Sequence, residues 1–300
     1  MTSMRVAVIG LGSMGMGAAL SLVRAGHDVA GCELREAARD QLIAAGGTAV
    51  ASADALPADL EAVIIFVVNA AQANDVLFGP SGCLGRLAPR AVVLCCTTVA
   101  PEAARALGAR LADSQKLMLD APVSGGAGAA AAGTMTVMAS GSAAAFEGAE
   151  PLLAAIAGKV WRLGDEIGVG STVKMVNQLL AGVHIATAAE AMALGIRAGA
   201  DPQTLFDVIS TSAGSSWMFQ NRVPHILAGD DTPLSSVNIF VKDLGIVLDQ
   251  ARALTFPLPM ASAAHQLFLA VSAAGHGGRD DAFVIRFWEA MAGITLPEKA

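Results

Sequence analysis

The chain has 300 residues, 54% of them hydrophobic and 15% charged, a length that allows about two domains with cores of their own. Its net charge of −7, without a lysine/arginine cluster, argues against a nucleic-acid partner and leaves room for a small anionic one. The longest uninterrupted apolar runs, Ala62 to Val68 and Ala91 to Cys96, fall short of the roughly 18 residues of a membrane span. No leader pattern precedes the first strand, so a cytoplasmic chain is expected.

Arg5 to Ile9 reads as a buried parallel strand. Gly10-Leu11-Gly12-Ser13-Met14-Gly15 follows at once. An alanine- and leucine-rich helix then runs through Arg24, closed by Ala25-Gly26-His27. A second strand covers Asp28 to Glu33. In that setting Gly10 permits the tight turn, Gly12 lets the backbone approach a pyrophosphate, and Gly15 lets helix and strand pack closely. Leu11, Ser13 and Met14 complete the cofactor loop at a helix start, whose N–H groups and dipole suit phosphate. Glu33, about 20 residues beyond, would accept hydrogen bonds from the adenosine ribose. That favours NAD, with Arg35 close enough to keep NADP open.

Strands are expected at Ala62 to Val68, Ala91 to Cys96, Leu117 to Leu119 and Met135 to Ala139, and loops after such strands carry ligand contacts. Val68 and Asn69 follow one strand, Thr97 and Thr98 the next. These residues would line the nicotinamide side of the cofactor, or the threonines simply cap the helix after Pro101. Asp120-Ala121-Pro122-Val123-Ser124-Gly125-Gly126 offers a hydroxyl and approachable N–H groups, a nest for a carboxylate or a plain turn. Gly125 to Gly133 reads as a mobile loop near the cleft.

Past Gly170 the β-pattern stops. Ser171 to Arg197 reads as one helix of about 40 Å, in which Lys174 is the sole formal charge between Glu166 and Glu190. A lysine in such surroundings either snorkels or is buried for its chemistry. Asn177 and Gln178 stand at i+3 and i+4 from it, on the same face, where amides would orient an oxygen. The chain has no tyrosine, and its five histidines and four cysteines show no metal-ligand or disulfide spacing. No metal is expected, and lysine becomes the leading proton carrier. Lys242 on a later helix would reach a cofactor or substrate anion, or only pair with Asp243. Ser215-Ser216-Trp217, after Gly214, would line the cleft or pack between subunits, although a tryptophan is more often simply core.

Together these motifs resemble the β-hydroxyacid dehydrogenase family, which includes 3-hydroxyisobutyrate dehydrogenase and tartronate semialdehyde reductase. The resemblance covers almost the whole chain and rests on the glycine loop, Asp120 to Gly126, Gly168-x-Gly170-x-x-x-Lys174, and Lys242-Asp243-Leu244-Gly245. It implies an α/β fold, with a Rossmann NAD-binding domain over residues 1–165 and an all-helical domain over 166–300 for catalysis and oligomerisation. It further implies an interdomain active site and a homodimer or homotetramer. By position Lys174 matches the catalytic lysine, Ser124, Gly125 and Gly126 the substrate-carboxylate loop, and Lys242 the cofactor-proximal lysine. Gln178 stands where the family often has asparagine.

Val67 to Gln72, Gln178 to Ala186, Gly31 to Leu34 and Ser216 to Phe219 resemble one subgroup, the L-threonate dehydrogenases. The expected activity is therefore NAD-dependent oxidation of a small hydroxyacid, with L-threonate going to 2-oxo-tetronate. Alternatives are 3-hydroxyisobutyrate or tartronate semialdehyde as substrate, an imine reductase, or a dinucleotide-binding module without catalysis. His184 on the long helix would help place substrate hydroxyls or, the expected role, is a satisfied core residue.

Overall fold

The computed structural model describes residues 3–296. Two compact units divide the chain, one ending at Lys174 and the other beginning at Met175. The boundary expected at 165/166 thus lies nine residues earlier than the division, because strand-end groups described below hold the first turn of the long helix.

In the first unit six strands are all parallel: β1 (Arg5–Ile9), β2 (Asp28–Cys32), β3 (Thr48–Val50), β4 (Leu60–Ile65), β5 (Leu87–Cys95) and β6 (Leu117–Asp120). Their order across the sheet is β3-β2-β1-β4-β5-β6, the doubly wound arrangement whose order reverses between β1 and β4. The crossovers are α1 (Ser13–Arg24), α2 (Glu36–Ala44), α3 (Ala70–Phe78) and α4 (Pro101–Asp113). Alternation along each strand loads both faces of the sheet. Val6, Val8, Ile64 and Leu94 face one core, and Ala7, Ile9, Ile65 and Val93 the other, as a sheet buried on both sides requires.

A second sheet was not foreseen. β7 (Val123–Ser124) pairs antiparallel with β8 (Met135–Ala139), which pairs parallel with β9 (Ala157–Arg162). Residues expected to form a mobile loop instead make α5 (Gly126–Ala132), ended by Gly133 in the left-handed conformation. Alanine's helix propensity wins there, and Arg24 donates to Ala131 O at 2.7 Å to hold the turn on α1. α6 (Ala143–Ile156), capped by Ser142, joins β8 to β9.

Then α7 runs from Val169 to Arg197. By length and composition it would pass for a membrane span, with a mean hydropathy of 1.6 over 18 residues. This corrects the expectation that no segment would. One lysine breaks an uninterrupted run but hardly changes an average. In the second unit Ile185, Ala189 and Met192 of this helix are core residues.

The rest of that unit is helical: α8 (Pro202–Ser210), α9 (Trp217–Leu227), α10 (Val237–Ala253), α11 (Pro259–Val271) and α12 (Arg286–Ala292). Phe268 is fully buried and stacks on Phe240 at 5.3 Å. Arg222 pairs with the buried Asp281 at 2.6 Å, and His225 lies 3.2 Å from Asp280. Two sequence expectations fail here. Trp217 is 59% exposed because it opens α9 behind its Ser216 cap, and His184 is exposed on the outer side of α7.

Candidate active site

The glycine loop leaves β1 at the switch point. Gly10 has φ +88°, and a Cβ there would sit 2.8 Å from Phe66 O. The loops after β1 and β4 therefore touch, and only glycine fits between them. At Gly15 a Cβ would lie 1.8 Å from Gly10 O, so this position is dictated by helix–loop packing. Gly12 differs from both. Its φ is −69° and a Cβ would meet nothing within 4 Å. Nothing inside the protein demands glycine there, whereas a pyrophosphate drawn against the backbone at a helix start does. That is the fit expected of a dinucleotide.

Glu33, just past β2, accepts from Leu11 N at 2.9 Å and from the Arg35 backbone N–H at 3.1 Å. Arg35 Nε is 3.2 Å from its carboxylate, and Arg35 also donates to Leu11 O at 3.0 Å. Burial alone would raise the Glu33 carboxyl. The hydrogen bonds from Arg35, its charge and the Leu11 N–H outweigh that, and the group is held below its ordinary value. Glu33 thus braces the glycine loop.

Asn69 caps α3, accepting from Gln72 N at 2.9 Å while the Gln72 side chain accepts from Val68 N at 2.9 Å. This reciprocal cap holds the exposed Val68 at the mouth of β4. Thr97 is buried and reaches back to Ile65 O at 3.4 Å. The cap of α4 is Ala100, so neither Thr97 nor Thr98 performs that task. Ser124 ends β7, and Gly125 and Gly126 follow with φ +121° and +68°. Two consecutive positive φ values explain both glycines.

The start of α7 is buried, and its partners come from far away in sequence. Asp120 accepts from Gly168 N (3.0 Å), Ser171 N (2.8 Å) and Ser171 Oγ (2.7 Å), and Ser140 Oγ accepts from Gly170 N at 3.0 Å. Burial pushes the Asp120 carboxyl up, opposed by these donors and by the Arg105 charge. Sequence reasoning passed over this anchor, although Asp120 stands in the motif that carries Ser124. Three residues on, Lys174 is only 7% exposed, so nearly all of its side chain is enclosed.

In the second unit a polar chain runs through the core. Asn177 Nδ2 donates to Gln178 Oε1 at 3.0 Å, and Gln178 Nε2 donates to Asp243 Oδ2 at 2.6 Å. The other carboxylate oxygen of Asp243 lies 2.6 Å from Lys242 Nζ. Asp243, which the sequence offered only as a partner for Lys242, is 2% exposed. Gln178 is therefore a connector between an amide and a buried acid, a reach that the shorter asparagine lacks.

Among the described residues no cluster of three histidine, cysteine or acidic side chains could hold a metal. All four cysteines are buried and free. Burial pushes the Cys32 thiol up to about 11, those of Cys83 and Cys95 up to about 12, and that of Cys96 well above its ordinary value.

A doubly wound parallel sheet with a glycine loop at its switch point, joined to a helical unit, defines a dinucleotide-binding protein of the Rossmann class. Residues 5–164 match the family described as the NAD binding domain of 6-phosphogluconate dehydrogenase. Residues 168–288 match that described as NAD-binding of NADP-dependent 3-hydroxyisobutyrate dehydrogenase. L-Threonate dehydrogenase of Cupriavidus necator is 57% identical over 99% of this chain and 99% of its own length. That of Escherichia coli K12 is 53% identical over 97% and 96%. The crystal structure of a 3-hydroxyisobutyrate dehydrogenase from Salmonella typhimurium superposes with a TM-score of 0.91 at 51% identity, covering 94% of this chain and 99% of that one. The chain belongs to the 3-hydroxyisobutyrate dehydrogenase-like family of NAD-dependent hydroxyacid dehydrogenases.

Proposed function

We propose that this enzyme oxidises L-threonate to 2-oxo-tetronate, with Lys174 as the general base. The reading is carried by one observation: a lysine only 7% exposed, one turn inside α7, in the same unit as the glycine loop and the Ser124-Gly125-Gly126 turn. The substrate comes from the full-length relatives above, whose names specify L-threonate.

Gly10, Leu11, Gly12, Ser13, Met14 and Gly15 would hold the pyrophosphate of NAD, with Glu33 on the adenosine ribose. Val68, Asn69, Thr97 and Thr98 would line its nicotinamide side. Bound NAD supplies the hydride acceptor. Ser124, Gly125 and Gly126 bind the substrate carboxylate through hydroxyl and N–H groups. Neutral Lys174 takes the hydroxyl proton during oxidation, and its ammonium returns a proton during reduction. Asn177 and Gln178 orient the reacting oxygen, the Gln178 amide being fixed by Asp243. Lys242, paired with Asp243, is the cation for a substrate or cofactor anion. Apolar side chains exposed on α7, Val176, Leu180 and Leu194 among them, favour a homodimer or homotetramer, read by light scattering. A cytoplasmic location fits this metabolic role.

The test is NADH formation across a panel of C3 to C6 hydroxyacids, for wild type and Lys174→Ala. L-Threonate is expected as the best substrate, and the variant should lose turnover while still binding NADH. Near-normal turnover of Lys174→Ala would falsify the mechanism. A second reading, 3-hydroxyisobutyrate as substrate, is favoured by the description of the Salmonella relative. Activity confined to that acid would establish it in place of L-threonate.

A further inference from the structure

Asp120 takes no part in the chemistry proposed above, yet it is fully buried and the described partners of its carboxyl all donate to it. A carboxyl used only as an acceptor by two N–H groups and a hydroxyl behaves as an ionised group. The N–H groups at a helix start have no intrahelical partners and are ordinarily met by a neighbouring residue. Those of α7 are met instead by Asp120 at the end of β6 and Ser140 just beyond β8. The seat is tight. A Cβ on Gly170 would fall 2.5 Å from Met138 O and 2.6 Å from Asp120 O, so the helix start lies directly against both strand ends. The spacing Gly168-x-Gly170-x-x-x-Lys174 thereby gains a physical meaning. Gly168 turns the chain with φ +100°, Gly170 allows the seating, and Lys174 follows Ser171 by about 4.5 Å of helical rise.

The charged and titratable groups facing Asp120 are few. From α4, Arg105 acts on it electrostatically and is itself paired with Glu102 at 2.8 Å. From the end of β5 come the thiols of Cys95 and Cys96, which burial keeps protonated. Asp120 therefore places a negative charge at the positive end of the α7 dipole, within a turn of Lys174.

We propose that Asp120 is a positioning residue for Lys174: its carboxylate, a cap supplied by β6, fixes where α7 begins and sets the potential in which the lysine exchanges its proton. The inference rests on the reading of Lys174 as proton carrier, and its two halves can be tested separately. Asp120→Asn keeps an oxygen for the two N–H groups and turns an amide N–H toward Ser171 Oγ, so it removes the charge and leaves the cap. Asp120→Ala removes both.

For Asp120→Asn the plateau kcat should stay within about threefold of wild type. The low-pH limb of kcat for oxidation should move down by about half a pH unit, because losing the anion disfavours the ammonium. For Asp120→Ala, kcat should fall about tenfold or more with the NADH dissociation constant unchanged. The amides of Gly168 and Ser171 should then exchange hydrogen at least about tenfold faster. A limb in Asp120→Asn that stays put or moves upward overturns the electrostatic half. Wild-type kcat and wild-type amide exchange in Asp120→Ala overturn the anchor. Should Asp120→Ala not fold, the limb of Asp120→Asn decides alone. If Lys174→Ala retains turnover, the proton-carrier reading fails, while amide exchange still decides whether Asp120 anchors α7.

Discussion

Gly12 and Gly15 offer a way to separate what the fold needs from what the ligand needs. The perturbation is one methyl group, placed first at one position and then at the other. At Gly15 the new Cβ would lie 1.8 Å from Gly10 O, where real Cβ contacts essentially never fall under 3.0 Å. The neighbour is backbone, so the helix start must move bodily, at a cost of about 3 kcal/mol or more. For a unit of this size that lowers Tm by about 6 to 12 °C. At Gly12 the methyl meets no protein atom within 4 Å and φ is ordinary. Only the modest preference of an N-cap for glycine over alanine is lost, under about 1 kcal/mol and under about 4 °C. NADH affinity should nevertheless fall at least about tenfold in Gly12→Ala, since the methyl occupies the approach to the pyrophosphate. Thermal melting without cofactor and NADH fluorescence titration read the two quantities independently. The reasoning is refuted if Gly12→Ala melts as low as Gly15→Ala, or if it binds NADH as the wild type does.

Replacing Glu33 with alanine should raise the ratio of kcat/KM for NADP to that for NAD about tenfold or more. It removes the ribose acceptor and frees Arg35 from its 3.2 Å ion pair for a 2′-phosphate; an unchanged ratio would disprove that role. Gln178→Asn should destabilise the protein by about 1 to 3 kcal/mol, since the shorter amide withdraws the 2.6 Å bond from the buried Asp243. Chemical denaturation measures this, and a midpoint equal to wild type would contradict it. The His225 imidazole is raised above its ordinary value mainly by its hydrogen bond to Asp280, with burial opposing and the Asp280 charge adding. Its contribution to stability is therefore complete below about pH 6.5 and is lost as pH rises through the folded value. Wild-type Tm should decline across that window more than the Tm of His225→Gln, and parallel curves would rule the contribution out.

The Rossmann half was legible because its signals are local. Strands such as Arg5–Ile9 are unbroken apolar runs, and the glycine loop is punctuated within six residues. β3 and β7 were missed because three and two residues show no periodicity, and β9 because most of its side chains are exposed. The Gly125 to Gly133 stretch was misread as a loop because its flanking glycines overshadowed the alanines between them. Lys174 could be picked out as a charge in an apolar helix. Its anchor could not, since Asp120 lies 51 residues before Ser171 and no local pattern announces a cap delivered across the fold. Trp217 and His184 show a related limit. Residue type suggested burial, while exposure depended on where each helix begins and which side it turns outward.

The four cysteines carry a practical consequence. A thiol reacts through its thiolate, and these thiols are both enclosed and held protonated at neutral pH. Thiol-directed alkylating reagents should leave these four cysteines unmodified in the folded enzyme. A single cysteine introduced on the surface can therefore be labelled selectively with a fluorophore or spin probe, without first removing the natural four.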